Sequence, residues 1–138
     1  MGRLWFATGD QAIMMEDGRV AITGRYKDII NRGGAKISPA AMEALVQRVC
    51  SETIQVVGVR DELAGQVPIV VCENSVQSSA EEVRTAIVRE MGTKCSPVKI
   101  LRLRDLNLID YPRTSSGKVQ KGVLSTLPQT YQRPGEKY

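Results

Sequence analysis

Residues 53–72 constrain the fold more than any other stretch. Thr53–Val59 and Val67–Cys72 are two β-branched apolar runs, with Asp61–Glu62–Leu63–Ala64–Gly65 between them. Such side chains are stiff in a helix and pack well on a pleated surface, so both runs are read as strands. On either side the apolar period changes. Met42, Leu45, Val46 and Val49 recur at helical spacing through Cys50, behind Ser38 as N-cap and Pro39 in the first helical position. Ser78–Ser79 opens a second amphipathic helix with Val83, Ile87, Val88 and Met91 on its inner face, and Gly92 can end it. Val98–Leu103 alternates as a strand, Tyr111–Lys118 reads as a loop rich in Pro, Ser, Thr and Gly, and Val119–Leu127 as a short terminal helix. The order helix, two strands, helix, strand, loop, helix predicts an α+β fold: a small mixed or antiparallel sheet flanked by helices.

The stretch before residue 37 reads differently. Leu4–Thr8, Gln11–Met15 and Arg19–Thr23 are short strand-like runs, and Asp17–Gly18 between two of them predicts a hairpin turn. Gly24–Asp28 is a charged segment that could join two units, and Asn31–Lys36 reads as a loop with paired glycines. The abrupt start, with Met1–Ala7 followed at once by Thr8–Gly9–Asp10, sets the expectation of no signal peptide and of a piece cut from a longer protein.

Composition removes several classes of function. The 138 residues suggest one compact domain with an appendage, and the 42% hydrophobic content suits a globular chain. No apolar run approaches the ~20 residues of a membrane-spanning helix. A net charge of +4 is spread along the chain without interleaved aromatics, which argues against nucleic acid as a partner and for a mixed surface, some of it able to face a nucleotide or coenzyme A. There is no histidine, so a His-based triad is excluded within the chain, and no metal site is expected. Cys50, Cys72 and Cys95 form no CxxC pair; Cys50 and Cys72 lie in apolar stretches and are expected as buried thiols in a reducing, cytoplasmic setting.

Three motifs carry chemistry. Pro112–Arg113–Thr114–Ser115–Ser116–Gly117–Lys118 is a tight, exposed turn with a lysine at its tip. It is not a phosphate-binding P-loop, because Pro112 stands where the first glycine belongs and Val119 where Ser or Thr would hold magnesium. Taken alone, Lys118 is a solvated surface lysine. Gly33–Gly34 is either a plain turn entering the helix or a place where backbone must approach a ligand closely. Thr8–Gly9–Asp10, alone, is a strand-end turn.

Read together and in order, these segments resemble the closing motifs of adenylate-forming enzymes, the superfamily of acyl- and aryl-CoA synthetases, peptide-synthetase adenylation domains and luciferases. The matching stretches are Trp5–Asp10, Gly18–Arg19, Gly24–Ile30, Asn31–Pro39, Asp61–Pro68 and Pro112–Lys118, so the resemblance spans essentially the whole chain. It implies that residues 1–26 are the terminal strands of a large N-terminal adenylating domain and 27–138 a small C-terminal lid that pivots on it, with Lys27 at the hinge. It places Asp10 on the aspartate that holds the ribose hydroxyls, Arg25 and Lys36 on nucleotide contacts, and Lys118 on the mobile catalytic lysine of adenylation, in a loop expected to be flexible. The face around Gly33 and Gly34 would admit the thiol in the second step. The resemblance further implies ATP, magnesium and coenzyme A for the full-length enzyme, with none held tightly by this fragment and no activity by the fragment alone. Its partners would be its own N-terminal domain and coenzyme A. Two alternatives are an adenylation lid that loads a carrier protein and a freestanding lid that binds one without catalysis. Lys36 stands where many relatives have Arg, which loses the bidentate fork. Asn31 replaces the second lysine of luciferase-like members, and Ala41 replaces a frequent glutamate ahead of Glu43, which puts any role of that acid in question.

Overall fold

The computed structural model describes residues 7–128. Two antiparallel strands, β1 (Asp10–Met14) and β2 (Val20–Arg25), form a separate hairpin, with the expected turn at Asp17–Gly18. A single 3-10 turn, Tyr26–Asp28, leads from it to the main sheet. The run Leu4–Thr8 falls partly outside the described residues, and from residue 7 to residue 9 the chain has no regular structure.

The main sheet has five strands: β3 (Ile30–Arg32), β4 (Ala35–Ile37), β5 (Ile54–Asp61), β6 (Gly65–Cys72) and β7 (Lys99–Arg102). They run in the order β4–β3–β6–β5, and β7 joins β6 in parallel over Ile69–Cys72. The sheet is therefore mixed, as the element order predicted. β6 is its central strand, and every residue from Val67 to Cys72 is buried. That explains its unbroken apolar sequence: a strand covered on both faces has no solvent side to alternate with. Pro68, which cannot donate to a ladder, lies between the Arg32–Gly65 pairing with β3 and the Ile69–Lys99 pairing with β7.

Two layers cover the sheet. Helix α1 (Pro39–Cys50) and helix α2 (Ala80–Met91) pack Met42, Leu45, Val46, Val83 and Ile87 onto Ile54, Val56, Val70 and Cys72. The opposite face, with Val57, Val59, Ile69 and Val71, is covered by Leu101, Leu103, Tyr111 and Leu124 from the C-terminal third of the chain. Both helix starts are as expected. Ser38 Oγ accepts from the Ala41 N–H at 3.2 Å ahead of Pro39, and Ser79 and Glu82 form a reciprocal capping box. Gly92 ends α2, its N–H donating to the Val88 carbonyl.

Several expectations change. Asn31–Lys36 is no loop but the tight hairpin β3–β4, and its two-residue turn puts Gly33 and Gly34 at φ of 54° and 87°. Positive φ at both central positions is the signature of a type I′ turn, which glycine adopts without strain. Three-residue strands are too short to display a period of two, so the sequence pattern hid them. Val49 is 48% exposed instead of inward-facing, and Cys50 is only half-buried. The terminal helix α3 is short, Lys121–Leu124, because Val119 is held in a bridge to Arg113. Val98 lies outside β7 and Leu103 enters a 3-10 turn, Leu103–Leu106. No helix among the described residues is long and apolar enough to cross a membrane.

Candidate functional site

The turn that carries Lys118 is built from its own hydrogen bonds. The Thr114 N–H donates to the Lys118 carbonyl at 2.8 Å, the Gly117 N–H to the Thr114 carbonyl at 2.9 Å, and the Lys118 N–H to Thr114 Oγ1 at 3.2 Å. The Gln120 N–H donates to the Pro112 carbonyl at 2.8 Å and closes the base of the loop. Lys118 is exposed, at the end of a turn whose backbone is hydrogen-bonded within itself. Hydroxyl residues suit this work because Thr114 bonds the backbone locally, as Ser and Thr do in turns.

Both ends of the loop are fastened. Upstream, Tyr111 is buried, and its hydroxyl donates to the Val71 carbonyl of β6 at 2.8 Å. Burial raises the Tyr111 pKa well above the usual phenol range, so it stays a donor. The neighbouring Asp110 carboxyl is held below its usual range, chiefly by the Arg113 guanidinium and then by the Tyr111 N–H. Downstream, Lys121 makes an ion pair with Glu43 of α1, and its Nζ also donates to the Val56 carbonyl at 3.1 Å. Glu43 Oε1 accepts from the Val56 N–H at 3.0 Å. Sequence alone gives Glu43 no role and does not set Lys121 apart from other lysines. Their partnership spans 78 residues and had no local signal.

The structure brings together most of the residues singled out by sequence. Asp10 and Arg25 face each other in the β1–β2 ladder, with Arg25 Nε 3.4 Å from Asp10 Oδ1. Arg25, Lys27 and Asp28 line a depression of about 500 Å³ with Thr114, Lys118, Lys121 and Gly122. Three cations there, Arg25, Lys27 and Lys118, are exposed on one concave surface, against a single acid, Asp28. Such an arrangement suits a polyanion. Lys36 stands apart, pairing in register with Asn31 and lining a second depression with Gln11, Tyr26 and Ser38. The Gly33–Gly34 turn is pinned by the Gly33 N–H donating to the Ala64 carbonyl at 2.7 Å, and the space above both glycines is open. Within the chain, backbone conformation alone accounts for the two glycines.

Other candidate chemistry is absent from the described residues. Burial pushes all three thiols up, Cys72 to about 11, so none is an activated thiolate. No three His, Cys, Asp or Glu side chains converge as metal ligands among the described residues, so this part of the chain offers no magnesium cage. A groove of about 530 Å³ between α1 and α2, lined by Val49, Cys50, Glu82, Thr85 and Arg89 among others, contains none of the motif residues.

Comparison with known proteins fits this geometry. No family model matches the chain. An acyl-CoA ligase of Penicillium expansum, cnsG, is 38% identical over 91% of the chain and 27% of its own length. Among solved structures, ATP-bound MatB from Rhodopseudomonas palustris superposes with a TM-score of 0.76 at 26% identity, over 92% of this chain and 25% of that one. The o-succinylbenzoate CoA synthetase MenE of Bacillus subtilis, in complex with its acyl-adenylate intermediate, gives a TM-score of 0.74 at 25% identity, over 96% and 26% of the two chains. The chain thus spans about a quarter of the length of the proteins it matches. In sequence and in fold, this chain is similar to the C-terminal domain of acyl-CoA ligases and synthetases.

Proposed function

We propose that the chain is the lid of an ATP-dependent carboxylic acid:CoA ligase, which forms an acyl-adenylate and then a thioester. The observation that carries this reading is Lys118, displayed by a hydrogen-bonded loop over the same depression as Arg25 and Lys27. Acyl-adenylate formation sets a carboxylate against the α-phosphate of ATP, two anions that repel. An ammonium held between them offsets that repulsion and stabilises charge developing in the transition state. Asp10 and Arg25 would hold the nucleotide, the carboxylate accepting from ribose hydroxyls, and Lys36 would add a more distant contact. Magnesium would neutralise phosphate charge, held by phosphates and by groups outside this stretch. The turn at Gly33–Gly34, open above, would face the thiol in the second step. The free thiols fit a reducing compartment such as the cytoplasm.

The domain division proposed is 1–26 with the large domain and 27–138 as the lid, hinged at Lys27. In its support, one face of the β1–β2 hairpin is apolar and bare: Met14 and Val20, paired across the strands, are 78% and 60% exposed, and Ile22 is 69% exposed. A face of this kind calls for a covering domain. Coenzyme A is favoured over a carrier protein as acceptor because the relatives are named acyl-CoA ligases.

The test uses the full-length parent. Lys118→Ala should slow carboxylate-dependent ATP–pyrophosphate exchange by about 10²–10³-fold, the usual effect of losing one such stabilising group. Thioester formation from supplied acyl-adenylate should persist, whereas Lys27→Pro should restrict the hinge and harm transfer more than exchange. Equal slowing of both half-reactions by Lys118→Ala, or of neither, would refute the reading.

A further inference from the structure

A line of contacts runs from the middle of the sheet to the peptide that carries Lys118, and Arg113 is its last link. Tyr111, buried, bonds the Val71 carbonyl of the central strand. The Arg113 guanidinium lies 6.0 Å from the centre of the Tyr111 ring. Its Nε and Nη2 donate to the two Asp110 carboxylate oxygens at 3.2 and 3.4 Å. Its Nη1 donates to the Gly117 carbonyl at 2.9 Å.

That last bond matters because of where it falls. The Gly117 carbonyl and the Lys118 N–H belong to one planar peptide unit. Holding the carbonyl on one side and the N–H on the other, at Thr114 Oγ1, fixes the plane from which the Lys118 side chain departs. Without the fork that plane would be soft, since Gly117 sits at φ 89° and has no side chain to restrict it. An exposed ion pair with Asp110 alone would count for little. The bond to a neutral carbonyl at the tip of the loop is what a charge pair does not explain.

We propose that Arg113 is a positioning residue for Lys118, holding the Gly117–Lys118 peptide so that the ammonium is presented in one direction during acyl-adenylate formation. The proposal rests on the reading of Lys118 given above. Arg113 engages its own loop through three of its nitrogens and acts through Lys118 instead of on the substrate. Lysine cannot replace it, because a single ammonium lacks the rigid fork that reaches the carboxylate and the carbonyl together.

The test separates positioning from folding. In the full-length enzyme, Arg113→Ala should lower the kcat of ATP–pyrophosphate exchange by about 10–10²-fold, as a displacement of about 1 Å does, with KM for ATP little changed. Transfer from supplied acyl-adenylate should be unaffected, and Arg113→Lys should not restore exchange. In a Lys118→Ala background, Arg113→Ala should cost nothing further, because residues that act as a unit are not additive. Equal loss in both half-reactions, a multiplied loss in the double variant, or normal exchange in Arg113→Ala while Lys118→Ala is impaired would each overturn the proposal. If Lys118→Ala itself leaves exchange intact, the reading of Lys118 falls first and the proposal with it. Should Arg113→Ala not fold, Asp110→Asn loosens the same fork: a smaller loss confined to exchange supports the proposal, and any other pattern overturns it.

Discussion

Disconnecting Lys121 from Glu43 should destabilise the chain more than any surface ion pair would. β5 is an edge strand, so alternate peptide groups along it point away from β6 and need partners elsewhere. At Val56, itself fully buried, the partners are side chains: Glu43 accepts the N–H, Lys121 donates to the carbonyl, and the two are paired with each other. The pair is 22–24% exposed, between the exposed class, worth up to ~1 kcal/mol, and the fully buried one, where losing one partner costs about 3–5 kcal/mol. Lys121→Met should therefore cost about 2–3 kcal/mol, since it strands both the Glu43 charge and the Val56 carbonyl. Glu43→Gln keeps an acceptor for the Val56 N–H and should cost about 1–2 kcal/mol. The double variant carries no stranded charge, so it should be more stable than the sum of the two by about 1–2 kcal/mol. Urea unfolding would read this directly: with a slope of about 1.5–2 kcal/mol/M, Lys121→Met moves the midpoint down by about 1–2 M. Single effects below ~0.5 kcal/mol, or additivity within that margin, would refute the idea that the pair serves the strand edge.

Two further outcomes follow from packing and burial. Gly58→Ala should destabilise by about 1–3 kcal/mol in a thermal melt, because a Cβ there would lie 2.9 Å from Cγ1 of Ile30, which is 1% exposed and cannot swing away. Stability should also fall in alkali. The folded state raises the Cys72 thiol from 9.0 to about 11 by burial, and raises Tyr111 too, so it holds those protons more tightly than the unfolded chain. Their contribution is complete below pH 9 and is lost as pH rises through the folded values, with a slope of up to ~1.4 kcal/mol per pH unit for one group. Urea midpoints between pH 8 and 11 would measure it; a flat profile, or one unchanged by Cys72→Val, would count against it.

The long elements were legible because each carried a period or a cap. Ser38–Pro39 and Ser79 mark helix starts through backbone chemistry that works locally, and the β-branched run of β6 announced a strand. What stayed hidden depends on residues far apart. The β3–β4 hairpin is too short for a pattern, and Val49 keeps helical spacing although it is 48% exposed at the rim of the groove between α1 and α2. For the site, the ordered motifs name the candidate residues, and three of them, Arg25, Lys27 and Lys118, line one depression. The fastening of the Lys118 loop did not show in sequence, since Tyr111 meets Val71 and Lys121 meets Glu43 across 40 and 78 residues.

The bare β1–β2 hairpin has a consequence for how the chain behaves in a test tube. A two-stranded ribbon is marginal in water by itself, and this one also carries an exposed apolar face with Met14, Val20 and Ile22. Exposed apolar faces of that kind recruit one another. The 138-residue chain should therefore be a sticky molecule whose apparent mass grows with concentration, even though its main sheet is well covered. Among the described residues, Met14 and Met15, 78% and 43% exposed, are the thioethers that an oxidant would reach first. Conversion of either to the sulfoxide would make that surface more polar and loosen the assemblies it forms, so storage history alone could change the behaviour of the sample.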